Sequence, residues 1–65
     1  MTKEQMSFAK RADKFKVYCD IGTKDFDNYR DAAVFYNNHL QDKYVELSAS
    51  MGIVGMTLAY HKSSV

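Results

Sequence analysis

The stretch from Phe26 to Met51, FDNYRDAAVFYNNHLQDKYVELSASM, decides how this chain is read. Its residues Phe26, Tyr29, Ala33, Tyr36, Leu40, Tyr44, Leu47 and Met51 recur at steps of three and four. That is the spacing of one face of a helix with about 3.6 residues per turn. It predicts a helix over about 25–48, roughly 36 Å long at about 1.5 Å per residue. Thr23 or Asp25 can cap it, and Asp25 and Asp27 place negative charge at its N-terminus, where the backbone dipole favours it.

Upstream, Met1, Phe8, Ala12, Phe15 and Cys19 lie close to one direction on a helical wheel. Thr2 and Gln5 have the spacing of a capping box, and Gly22 can take the left-handed conformation that ends a helix. A first helix over about 3–21 follows. The short connection then makes the pair an antiparallel hairpin. Charge agrees with that pairing: residues 1–24 hold six basic and three acidic side chains, and residues 25–47 hold two and five.

Segment 50–61 has two readings. As a helix it aligns Ser48, Gly52, Gly55 and Ala59 as a small-residue seam for close packing or self-association. As a strand, Val54, Met56, Leu58 and Tyr60 alternate with Ile53, Gly55, Thr57 and Ala59, with both sets largely apolar. A lone strand beside two helices has no partner for its backbone, so the helix is preferred, although each interior glycine costs it about 1 kcal/mol. The fold expected is therefore all-α: a helical hairpin and a short glycine-containing third helix in one small domain spanning 1–65. Lys62 to Val65 reads as a frayed tail.

Composition narrows the function. With 65 residues, 46% of them hydrophobic, a single core supplies only about 3–5 kcal/mol of net stability. Self-association or partner binding is a common remedy, and a homo-oligomer is expected. One cysteine excludes an internal disulfide and a cysteine quartet for zinc. The uncharged run Leu47 to Tyr60 is shorter than the roughly 17–25 residues a spanning helix needs, and the polar N-terminus has no apolar signal core. These features point to the cytosol and away from membranes.

Catalytic patterns are sparse. His39 and His61 are the only imidazoles, and Cys19 reads as a small apolar stripe residue. Asp25, Asp27 and Asp31 begin like a calcium loop but lack its glycine and its closing glutamate. No phosphate loop, nucleophile elbow or paired-cysteine motif is present. The chain reads as a non-enzyme with no cofactor and no metal.

Two surfaces read as contacts for another protein. Phe35 points opposite the apolar stripe, among Asn28, Asp31, Asn38, His39 and Asp42, as an aromatic anchor in a polar ring. On the first helix, Met6, Val17 and Ile21 mix with Lys3, Lys10 and Lys14 on a second face. The expected role is a small regulator or inhibitor that occupies a partner's surface. Nucleic acid, held by Lys3, Lys10, Arg11, Lys14 and Lys16, is the alternative; a net charge of +1 argues against it. A structural self-assembling subunit is the other.

Overall fold

From Lys14 to Cys19 the chain alternates Lys14, Lys16 and Tyr18 with Phe15, Val17 and Cys19, a period of two. In the computed structural model, which describes residues 1–63, this run is a strand, and the fold is built around it. The elements are α1 (Lys3–Arg11), β1 (Lys14–Cys19), β2 (Gly22–Phe26), α2 (Tyr29–Asn38), β3 (Tyr44–Met51) and β4 (Val54–Lys62). The strands form one antiparallel sheet in the order β2-β1-β3-β4. Both helices contribute to the same core on one sheet face: α1 packs on β3 and β4, and α2 on β1, β2 and β3.

The all-α hairpin is thus overturned. The helix expected over 3–21 ends at Arg11, and the one expected over 25–48 covers only 29–38. The reason lies in the number four. Phe15 to Cys19 and Leu47 to Met51 are each four residues apart, a separation that suits one helix face and one strand face equally. The intervening residues decide. Val17 is buried between Phe15 and Cys19, as is Ala49 between Leu47 and Met51. Those positions share a face only in a strand.

The third helix expected over 50–61 is also replaced, by β4 and the turn before it. Its backbone has the partner that a two-helix reading denied it, because Tyr44–Met51 is itself a strand. Leu47 pairs with Ala59 and Ser48 with Thr57, so Leu58 is the extra residue of a β-bulge. The bulge shifts the alternation by one. Met56, Leu58 and Ala59 pack on the core, while Tyr60 joins the opposite face with Glu46. Hence both alternating sets look apolar in sequence.

The core comprises Phe8, Phe15, Val17, Ala32, Val45, Leu47, Ala49 and Leu58. Val17, Val45 and Leu47 are the largest side chains with essentially no exposure, each contributing about 1.5–3 kcal/mol by burial. Two glycines close the hairpins. Gly52, at φ +63°, takes the first central position of a two-residue turn before Ile53, a place that favours glycine. Gly22, at φ +123°, opens β2 in a conformation closed to other side chains.

The capping box at α1 forms as expected, and one of its members does more. Gln5 Oε1 accepts from the Thr2 backbone N–H at 2.8 Å, and Thr2 Oγ1 accepts from the Gln5 N–H at 3.1 Å. Gln5 Nε2 also donates to the carbonyls of Thr57 (3.0 Å) and Leu58 (3.3 Å), at the bulge. At the other end, Lys62 belongs to β4 and Ser63 N–H donates to the Lys43 carbonyl at 3.2 Å, so these two residues of the expected frayed tail are held in place. The remainder of that tail, 64–65, lies outside the described residues.

Candidate functional site

A groove of about 300 Å³ opens where α1 passes the start of α2. Met1, Met6, Ala9 and Lys10 line it from the α1 side and Tyr29 from α2. Met1, Met6 and Tyr29 are 57%, 49% and 39% exposed, a large apolar display for so small a chain. The floor is held by the core: Tyr29 meets buried Phe15 edge-on, with ring centroids 6.0 Å apart. Asn28 fixes the start of α2, accepting from the Asp31 N–H at 2.9 Å and donating to its carboxylate at 3.0 Å. Met6 and Lys10, expected as contacts, therefore do share a surface. The sequence alone does not place Met1, Ala9 and Tyr29 on it, because no spacing within α1 announces that α2 begins alongside.

The remaining expected contacts disperse. Val17 is fully buried and inaccessible to any partner. Lys14 lies on the opposite sheet face, beside Ser50. Asn28 and Asp31 are exposed but form the α2 cap, and Asn38 is exposed at the end of that helix. Gly52, Gly55 and Ala59 make no seam: Gly52 is in a turn, Gly55 pairs with Ser50 on the open face, and Ala59 packs on the core.

Phe35 is not the free anchor that a long helix implies. Once α2 is confined to 29–38, its inward face is Ala32, Phe35 and Tyr36, while Val34 is 55% exposed. The Phe35 ring lies half-buried between Phe26 (centroids 5.4 Å apart) and His39 (4.3 Å, stacked), with the Lys24 ammonium 5.6 Å from its centroid. His39 Nδ1 is 3.2 Å from Asp42 Oδ2. Burial pushes the neighbouring Tyr36 hydroxyl's pKa above its ordinary value.

The sheet face away from the helices is open. It carries Lys14, Lys16 and Tyr18 on β1, Tyr44, Glu46, Ser48 and Ser50 on β3, and Thr57, Tyr60 and Lys62 on β4. Glu46 organises its centre, accepting from the Tyr44 hydroxyl and from Thr57 Oγ1 at 2.8 Å. The Tyr44 pKa is pushed up to about 12, first by that bond to the carboxylate, then by desolvation and by neighbouring negative charge.

No helix among the described residues is long and apolar enough to cross a membrane. The architecture is a helix-covered four-stranded antiparallel sheet of the α+β class. No protein-family model, curated protein or solved structure matches the chain.

Proposed function

We propose that the chain is a small cytosolic protein-binding regulator that acts by seating an apolar segment of another protein in the groove between α1 and α2. The observation that carries this is the lining itself. Four of its five residues are apolar or aromatic, Met6, Ala9 and Lys10 are held on α1 and Tyr29 on α2, and Lys10 is the one charged side chain in the lining. Methionines adapt their shape to a partner at little cost, and tyrosine supplies area with few rotors to freeze. The segment that fits is one with an apolar face and an acidic residue opposite Lys10. Binding there is occupancy without turnover, since no thiol, imidazole or carboxylate lines the groove. The free thiol of Cys19 suits a reducing compartment.

Nucleic acid is the weaker reading. The open face gathers Lys14, Lys16 and Lys62 beside exposed Tyr18 and Tyr60, but Glu46 and Asp25 on the same face offset them.

A photo-crosslinking side chain placed at Met6, in the cell that makes the protein, tests the proposal; Lys16 on the open face serves as the control position. The expected result is one discrete heterologous adduct from position 6, reduced by Lys10→Glu and absent from position 16. The same adducts from both positions, a self-adduct alone, or no adduct would overturn it.

A further inference from the structure

Three chemically different side chains converge at the end of the sheet opposite the β3–β4 turn. Cys19 is the last residue of β1, His39 follows the end of α2, and Asp42 lies in the loop leading to β3. Their donor atoms, one sulfur, one nitrogen and one oxygen, all lie within 4.8 Å of one another, and all three residues are half-buried. We propose that Cys19, His39 and Asp42 bind a zinc ion through three protein ligands, leaving a fourth position for water or a further ligand.

The geometry fits that ion. Zinc bonds of about 2.0–2.3 Å in a tetrahedron set ligand atoms roughly 3.3–3.8 Å apart. His39 Nδ1 and Asp42 Oδ2 are already 3.2 Å apart, and with one donor atom from each residue within 4.8 Å of the others, side-chain adjustments of about 1 Å bring the set into that range. The donor set also selects the metal class. Calcium and magnesium take oxygen ligands, whereas a thiolate with an imidazole and a carboxylate suits a borderline-soft ion such as zinc. The sequence exclusion of a cysteine quartet does not touch a mixed three-ligand site.

The surroundings hold the ligands as a site requires. The Asp20 backbone N–H donates to Asp42 Oδ2 at 3.1 Å, and Asp20 Oδ2 accepts from the Lys43 N–H at 2.7 Å. These two bonds tie the β1–β2 turn to the α2–β3 loop and so fix Cys19 relative to Asp42. Phe35 stacks on the His39 ring and Phe26 backs Phe35, giving the imidazole an apolar wall. Side-chain exposures of 21% for His39 and 20% for Asp42 leave a path for entry while shielding the pair from bulk water. The Cys19 thiol donates to the Gly22 carbonyl at 3.3 Å; metal binding exchanges that proton for the ion.

Cobalt(II), which takes zinc sites and is visible, is the probe. Titration of the purified full chain is expected to give a thiolate-to-cobalt charge-transfer band saturating at one ion per chain and abolished by added zinc. Cys19→Ser should remove the band. His39→Gln should weaken cobalt binding at least about tenfold, the lower end of what even an outer-shell loss costs. His61→Gln, at the exposed imidazole of β4, should leave it unchanged. Zinc should also slow alkylation of the wild-type thiol, a readout that needs no variant to fold. A folded chain without the band, the band persisting in Cys19→Ser, equal effects of the two histidine changes, or alkylation indifferent to zinc would each overturn the proposal.

Discussion

The two faces of the sheet are made from the same four strands and share almost nothing else. On the helix side, Phe15, Val17, Val45, Leu47, Ala49 and Leu58 are sealed beneath α1 and α2. On the other side, Lys14, Lys16, Tyr18 and Tyr60 are exposed, and Tyr44, Glu46, Ser48 and Ser50, on a central strand, are half-buried. Successive side chains of a strand point to opposite faces, so neighbours one residue apart differ completely in environment. Stability therefore resides in one set of alternating positions, and chemistry is free to vary in the other. Among the described residues the pairing shifts register only at Leu58, where the bulge breaks the alternation and moves Tyr60 out of the core set.

The largest test of that contrast is Leu47→Ala. Leu47 is 2% exposed at the centre of the sealed face, and truncation there costs about 2–5 kcal/mol by urea unfolding. That is a large share of the total stability, about 0.05–0.15 kcal/mol per residue. A loss under about 1 kcal/mol would show that the helices do not seal this face.

Glu46→Gln, one residue away on the open face, acts through pH instead. The Tyr44 pKa is raised from 10.0 to about 12, so the folded chain holds this proton more tightly than the unfolded chain does. The stability linked to it is complete below the unfolded pKa and is lost as pH rises through the folded one. Removing the carboxylate charge should bring the tyrosinate absorbance step back toward its ordinary value and close that alkaline window. A titration identical to wild type would mean that Glu46 does not hold the hydroxyl. The smallest effect belongs to Lys16→Ala. Its ammonium is 3.9 Å from Asp25, with side chains 49% and 73% exposed, and solvent screening limits the change to within about 0.5 kcal/mol in thermal or urea unfolding.

These paired positions also explain what the sequence discloses. The α1 cap was legible because a capping box is a local chemical pattern between Thr2 and Gln5. The strands were hidden because Phe15, Cys19, Leu47 and Met51 satisfy two periodicities, and the alternating Val17 and Ala49 between them were the residues to weigh. Bulge and pairing partner concealed β4 from each other: without a recognised β3, its apolar run has no sheet to join. Met6 and Lys10 were legible as one surface from helical spacing alone. Cys19 and His39 were visible only as single residues, because their proximity depends on the ladder that places the β1–β2 turn beside the α2–β3 loop.

The amide of Gln5 joins positions 52 and 53 residues apart, and this gives α1 an unusual place in the order of folding. A nine-residue helix does not persist alone in water, since nucleation outweighs so few backbone bonds. Its anchor, the pair of bulge carbonyls, does not exist until β4 has paired with β3. In synthesis from the N-terminus, α1 is therefore made well before the strand that anchors it. In the finished protein its amides report on the integrity of that distant strand: when β4 loosens, α1 loses its protection against hydrogen exchange with it.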